Sequence, residues 1–587
     1  AASDVYKRQV LQGATVRINA AAQFKAGDVV TVVVASRVAG GSTSIPYTVP
    51  SGGGGQPVQV TIPYNIVNAS NGSDFDLAYE IQRAAGGPVE PSGSVTYYVN
   101  REVGSGPLRV MGARFNVNTY RASGAPRMIS AFHDATLLPM LAEWRYEGES
   151  QWTARSHWFD NKPWLKLYVR SDSQTIELRP CNVVGNGVDT TANGSAAFAV
   201  MRDEVLVGSE LEVDMRAWGN ASYGGSLTPT QITLKNVAEI TGSSNGYVAR
   251  LRDGYVVRWG GAADVPQNGN YAQVRSNAQA FCGRLTDGTL VAWGPATHGV
   301  PVSEAALAHK DYVEVVGAAT AFAARRASGH VVAWGNPAMG GKMKEGQEVL
   351  GNIIQLAGNY GAFAALRDGG GSKSVIAWGH DSYGGDASKV AGLTNVKALG
   401  AATAQAFSIL LDDGSVQAWG PESHGGVVPS DILAMRDIVE ITSTWHAMCA
   451  RRASGHVVAW GNPANGGNVG EDIAVIRDIV SVVGSSWSFA ALRRNGTVVA
   501  WGMPATGGDT SAVAAQLVNV RAIYANSHGF TALTSDGRVV TWGVPAGGGD
   551  SSLVQHELTG KLGHSRVVPA EEAAQLGLTA TNDQGQA

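Results

Sequence analysis

The sequence predicts an all-β protein organised around a β-propeller, and three observations predict it. Trp-Gly pairs recur at a near-constant spacing, each pair closes a short apolar run, and glycine is in excess. The pairs start at Trp218, Trp259, Trp293, Trp334, Trp378, Trp419, Trp460, Trp501 and Trp542, with six of eight gaps equal to 41 residues and the others 34 and 44. A fixed period of roughly 20–50 residues marks a solenoid, a propeller or an array. Glycine supplies 75 of 587 residues, against a usual share of ~7%, and many glycines mean many tight turns between short strands.

Each unit reads in the same order. A short apolar strand comes first, as in "IVEIT" at 438–442 or "IVSVV" at 479–483. A strand of small residues follows, then a turn such as Asp253-Gly254, Asp413-Gly414, Asn495-Gly496 or Asp536-Gly537, and the Trp stands five residues past that Gly. Asp-Gly and Asn-Gly predict two-residue hairpin turns with positive φ at both central residues. The strand "HVVAWG" has no polar residue between His and Gly. Both of its faces must therefore be covered, as when small sheets stack side by side. Gly pairs six and seven residues past the Trp, such as Gly340-Gly341 and Gly466-Gly467, mark the exit toward the next unit. The 44-residue gap comes from three extra residues in "DGGGSKSVIAWG" at 368–379, and the 34-residue gap is a shortened unit. Radial repetition of small antiparallel sheets is a β-propeller.

"IVEITSTWHAMCARRASGHVVAWGNPANGG", at 438–467, resembles the RCC1 (regulator of chromosome condensation) repeat, in particular its short bacterial form. The resemblance rests on the apolar strand, the small-residue strand, the Gly-x-Val-Val-Ala-Trp-Gly hairpin and the glycine turn after it. It covers about 218–549 and implies an RCC1-like propeller of seven or eight blades whose closure pairs a strand near Trp218 with the last hairpin near Trp542. The family's Asn-x-x-Gly-Gln-Leu-Gly segment is absent; "NPAMGGK" and "HDSYGGD" stand in its place. The family's founder is a nucleotide-exchange factor that docks on chromatin through basic segments. This chain has no basic tail and a net charge of −4, so nucleic acid is not an expected partner.

Four regions are expected. Residues 1–103 hold strands punctuated by Gly and Ser clusters and resemble the immunoglobulin-like sandwiches of bacterial surface proteins. Residues 104–206 form a second small β unit in which Trp144, Trp152, Trp158 and Trp164 pack a core rather than display a carbohydrate platform. Residues 207–560 form the propeller, with "FAVMRDE" at 198–204 as an earlier repeat-like strand, and 561–587 form a tail.

Signs of chemistry are sparse. Ser244 lies in "GSSNG", which matches a nucleophile elbow by letters, but no helix is predicted after it. Cys181, Cys282 and Cys449 are odd in number and widely separated, without metal-ligand spacing. No apolar run is long enough for a membrane helix. One unit position does vary, five residues past the Trp: Tyr223, His298, Tyr383 and His424 stand there, and Met339, Asn465, Thr506 and Gly547 stand there in other units. A fixed frame that displays a changing side chain on one rim is how repeat proteins build ligand surfaces. The expectation is thus a monomeric, non-enzymatic module, without cofactor or metal, at a bacterial surface or secreted. Its rim residues Tyr223, His298, Tyr383 and His424 bind another protein or, as an alternative, a glycan. An exchange factor and a propeller enzyme are the remaining alternatives.

Overall fold

The computed structural model describes residues 14–19, 22–38, 41–70, 74–98, 106–117, 119, 127–191, 193–207, 210–266 and 269–578. Among the described residues the repeat region forms nine three-stranded antiparallel sheets, eight of them built from three consecutive strands. One unit shows the logic. Ile479–Gly484 pairs with Ser488–Arg493, which pairs with Val498–Gly502. Phe489, Ala490 and Ala491 are fully buried, because a sheet flanked on both sides has no solvated face. The turn differs from the expected two-residue form. Gly496 has φ 84°, its N–H donates to Arg493 O at 2.8 Å, and Asn495, which is not left-handed, accepts the Thr497 N–H on Oδ1 at 3.0 Å. Only the glycine needs positive φ, as in a type I turn followed by a left-handed residue.

One contact repeats between neighbouring sheets. In every unit but one, the indole N–H of the Trp donates to the carbonyl of the Gly six residues past the preceding unit's Trp: Trp259 to Gly224, Trp334 to Gly299 and Trp378 to Gly340 at 3.0 Å, and Trp419 to Gly384 at 2.9 Å. Trp460, Trp501 and Trp542 do the same to Gly425, Gly466 and Gly507 at 2.8, 3.0 and 3.0 Å. These glycines are left-handed, and all but Gly425, which meets Met448, face a Phe or Tyr ring of the next sheet; a Cβ on Gly466 would stand 2.6 Å from Phe489. That ring stacks in turn on the Trp, as Phe489 does on Trp501 at 5.2 Å. The glycine pair is therefore required twice, for its φ and for its missing side chain. Trp293 is the exception. It ends the 34-residue interval, which lacks the glycine segment, and its buried Nε1 has no partner among the described residues.

A further three-stranded sheet precedes the unit that ends at Trp259. Val183–Gly185, Ala197–Met201 and Met215–Gly219 form it. Where other units have a tight turn, 202–214 intervene and carry the hairpin Val205–Val207 with Glu210–Glu212. The insertion hides the unit from a period count, and the boundary expected at 206/207 falls inside the sheet. Its Trp218 donates to Gly548 at 3.0 Å, the same contact made with the last unit. Among the described residues no strand of the first sheet pairs with a strand of the last, unlike the expected closure.

The second β unit is completed from the far end of the chain. Leu108–Met111, Met128–His133 and His157–Phe159 form one sheet. The other runs Thr153–Arg155, Ala142–Tyr146, Leu167–Arg170, Thr175–Leu178 and finally Ser565–Val568. Residues 561–578, expected as tail, thus supply an edge strand and the helix Ala570–Gln575. The reason is electrostatic as well as apolar: fully buried Glu177 takes Arg566 at 2.7 Å and Arg179 at 2.8 Å. Trp144 is fully buried and stacks on Trp158 at 6.0 Å, whereas Trp164 is 40% exposed. Arg114, itself buried, holds Asp160 in a bidentate pair at 2.8 and 3.0 Å.

This unit covers one end of the ring. Asn116 Nδ2 donates to Ile240 O, the Gly242 N–H donates to Thr119 Oγ1 at 3.1 Å, the Met128 N–H donates to Glu440 at 3.2 Å and the Gly112 N–H donates to Arg521 O at 2.9 Å. One short stretch of chain therefore touches the second, seventh and ninth sheets. The described residues of 14–98 form two further sheets. Ala14–Ile18 pairs with Val58–Ile62, and the second sheet centres on Val29–Ser36 and Asp74–Gln82. Alternate burial of Val30, Val32 and Val34 places one face on the core. Buried Asp28 accepts the Ala84 N–H at 3.0 Å and pairs with Arg83 at 3.0 Å.

Two outcomes follow. Trp334→Phe should cost about 1–2 kcal/mol more than Trp293→Phe, because only the first orphans a buried carbonyl; urea unfolding of both variants checks this. His564 is buried with Nε2 at 2.8 Å from Gly112 O, and burial pushes its imidazole down to about 4. The unfolded chain takes that proton near pH ~6.5. The titration contributes nothing at pH 7, and stability should then fall by about 3 kcal/mol as pH drops through that window. His564→Gln should remove this part of the slope.

Candidate functional site

The four sequence-selected residues occupy one local structure. Each ends a single 3₁₀ turn, Ala221–Tyr223, Ala296–His298, Asp381–Tyr383 or Glu422–His424, just before the left-handed Gly. The backbone there is pinned to its own sheet. Asn186 Nδ2 donates to Tyr223 O at 2.8 Å, Asn277 to His298 O at 2.7 Å, Asn359 to Tyr383 O at 2.7 Å, and Thr403 Oγ1 to His424 O at 2.8 Å. A carbonyl fixes each turn, so the side chain is free to vary, as the sequence pattern suggested. The equivalents Asn465 and Thr506 are buried instead, with Thr506 Oγ1 2.7 Å from Ser488 Oγ.

Two of the four come together. Tyr383 stacks on Tyr360 at 5.5 Å, Tyr360 meets the edge of Trp445 at 5.7 Å, Trp445 meets His446 at 6.4 Å, and His446 lies 4.7 Å from His424. Exposed His380 adds an edge contact to Tyr383 at 5.3 Å. The set spans three consecutive sheets. Tyr360, Tyr383, His424 and His446 are half-buried, and Trp445 is the buried floor. Tyr223 does not join them; it packs on the core between the first and second sheets. His298 is also apart, with Nδ1 2.9 Å from Thr297 Oγ1.

A belt of backbone bonds holds this end of the ring. The N–H of Ala319 donates to Tyr360 O at 3.1 Å, Tyr360 to Ala404 O at 3.3 Å, Ala404 to Trp445 O at 2.9 Å and Trp445 to Ser486 O at 2.9 Å. Ser486 to Ser527 O and Ser527 to Asn186 O, both at 3.1 Å, carry it to the first sheet. Beside the aromatic set, the loop after Val183–Gly185 folds over the eighth and ninth sheets. Its buried Asp189 accepts the Ser486 and Ser527 hydroxyls, and His528 Nε2 lies 3.1 Å from Val188 O.

Tyr360 and Trp445 were missed because they lie in the turn between the first two strands of a unit. A signal existed. Fifteen residues before the Trp, or eighteen in the lengthened unit, six of eight units carry Ser or Ala, and these two carry aromatics. Ser244 lies in the same turn, followed by the strand Gly246–Leu251 rather than a helix, which leaves no nucleophile elbow. Cys181, Cys282 and Cys449 are buried free thiols, and burial pushes Cys181 and Cys282 up to about 12. No group of three or more metal-ligating side chains, and no helix long and apolar enough to cross a membrane, occurs among the described residues.

No protein-family model matches the sequence, and no curated protein matches it. Among solved structures, the chain is similar to the ectodomain of the Physcomitrella patens receptor kinase CR4, with 14% identity over 48% of this chain and 73% of that one and a TM-score of 0.31. It is similar to yeast RCC1 (Prp20) bound to Kap60, with 14% identity over 56% and 79% and a TM-score of 0.29. A computationally designed protein, Ika8, is similar at 13% identity over 58% and 94%, with a TM-score of 0.26.

Burial pushes the His424 imidazole below its ordinary value. It should therefore titrate below the usual ~6.5 and be neutral at pH 7, which an NMR titration of the imidazole resonances checks.

Proposed function

We propose that this chain is a non-enzymatic protein-binding scaffold: an RCC1-like propeller of nine blades, with an immunoglobulin-like module at 14–98. Its binding surface is the aromatic and imidazole set on the fifth to seventh sheets. The observation that carries this reading is the continuous chain of ring contacts from His380 through Tyr383, Tyr360, Trp445 and His446 to His424. Half-buried aromatics on a pinned backbone offer large apolar area at little cost in conformational entropy, which is the character of interface hot spots. The neutral His424 adds hydrogen bonding without the desolvation cost of a charge. The chain's own residues between Gly112 and Met128 contact the second, seventh and ninth sheets, which favours a surface role over chemistry in a central channel. A bacterial surface or secreted setting belongs to the same proposal.

The test compares the full chain with a Tyr360→Ala/Tyr383→Ala double variant. Partners captured from host and neighbouring-cell lysates are identified by mass spectrometry and their affinities measured with purified proteins; a glycan array runs in parallel. The expected result is one protein whose Kd weakens about 30-fold or more in the variant, the size of one or two lost hot spots, with Tm little changed. A partner bound equally by both forms would move the site elsewhere, and a glycan hit lost in the variant would replace protein by carbohydrate as the ligand.

A further inference from the structure

The capped end of the ring carries an imbalance of charge that the repeat itself exposes. In three units the third residue of the first strand is Glu and its cross-strand neighbour is Arg. Glu239 stands opposite Arg250, Glu314 opposite Arg325 and Glu440 opposite Arg451. They form ion pairs at 3.4, 2.8 and 3.1 Å. In the third sheet the same two positions hold Gln273 and Arg284. The arginine is kept and its carboxylate is replaced by an amide.

The third sheet adds a second guanidinium. Two residues past Gln273 is Arg275, where the other units have Thr241, Val316, Ala357, Gly400, Thr442, Val483 and Tyr524. Arg275 is 7% exposed. The Nε atoms of both Arg275 and Arg284 are buried without a hydrogen-bond partner among the described residues. A third guanidinium comes from the capping unit. Arg127 lies within the field of Glu314, and Arg275 within the fields of Glu239, Glu314, Arg127 and Arg284. The stretch of sequence from Phe115 to His133 contains no Asp or Glu; the capping unit's Asp160 acts on Arg127, but both of its carboxylate oxygens are held by Arg114. Burial pushes Arg275 down to about 10 despite the opposing pull of Glu239 and Glu314, a sign that the two carboxylates, already engaged with Arg250 and Arg325, do not compensate it.

Buried charge without a partner is among the costliest features a fold can carry. Guanidinium groups pair with tetrahedral oxyanions through parallel N–H donors. We propose that Arg275, Arg284 and Arg127 form a binding site for a small oxyanion of the phosphate or sulfate class, enclosed between the third sheet and the capping unit.

The experiment uses the full chain in an acetate buffer at constant ionic strength, titrated with inorganic phosphate, sulfate or AMP and followed by thermal unfolding and calorimetry. Phosphate or sulfate is expected to bind with a stoichiometry of one and to raise Tm by about 2 °C or more. Arg284→Gln and Arg275→Gln should each lose most of that shift. General salting-out by these anions would act equally on wild type and variants, so the variants separate it from binding. Without anion, Arg284→Gln should unfold at the same temperature as wild type or higher, because it removes a half-buried guanidinium whose buried Nε has no hydrogen-bond partner among the described residues. This ordering also guards against a variant that merely folds poorly. Binding of phosphate but not AMP assigns a free anion, and binding of both assigns the phosphoryl end of a larger molecule. Equal shifts in wild type and both variants, or no binding in any arm, would overturn the proposal.

Discussion

The hydrogen bond from a tryptophan indole to the carbonyl of a left-handed glycine one unit away is the contact on which the rest of this structure depends. It joins neighbouring sheets, and it forces three residue types at once. The Trp must donate, the Gly must reach positive φ, and the same Gly must leave room for the aromatic ring that stacks on the Trp. That coupling explains why the Trp-Gly pair and the Gly-Gly pair travel together through the sequence. It also explains the one unit that breaks the pattern. Where 259–293 omits the glycine segment, Trp293 keeps its buried ring and loses its partner.

Much of this was legible in the sequence because the constraint is local and repeated. The period, the strand order within a unit and the lengthened hairpin at 368–379 all follow from residue type and spacing, whereas full burial falls on the middle strand, as at Ser488–Arg493, and the expected strand keeps half-buried residues, as at Val457–Gly461. The blade count did not follow. Val183–Gly185 and Ala197–Met201 lack a tight turn before Met215–Gly219, so the first unit has no readable period. The tail was misjudged for a related reason. Ser565–Val568 is a strand only because Glu177 and the edge of Thr175–Leu178 receive it, and such long-range pairing leaves no periodic trace. The two-residue turns were expected from Asp-Gly alone, but the Asp or Asn side chain caps the next N–H and lets a type I turn form with only the glycine left-handed.

The candidate site was half legible. Tyr383 and His424 stood out as variable positions in a fixed frame, and the structure brings them together. Tyr223 and His298 had the same signature and sit apart, because unit position alone does not say what the adjacent turn contributes. Aromatics at Tyr360 and Trp445 join the fifth to the seventh sheets, whereas Ser244 and Ala278 leave the second and third without such a bridge. The loop bearing Asp189 then covers the eighth and ninth sheets. The surface is thus set by where small residues give way to large ones at one turn, on a belt of backbone bonds that holds those turns side by side.

The central claim is that the first and last sheets meet through the same bond as every other pair, with Trp218 donating to Gly548. Hydrogen exchange of the tryptophan indole N–H groups, read by ¹⁵N-resolved NMR, tests it directly. The account predicts that Trp218 is protected to the same degree as Trp501 or Trp542. A Trp218 indole that exchanges freely, while the indoles of the interior units stay protected, would mean that the array is open and would contradict it.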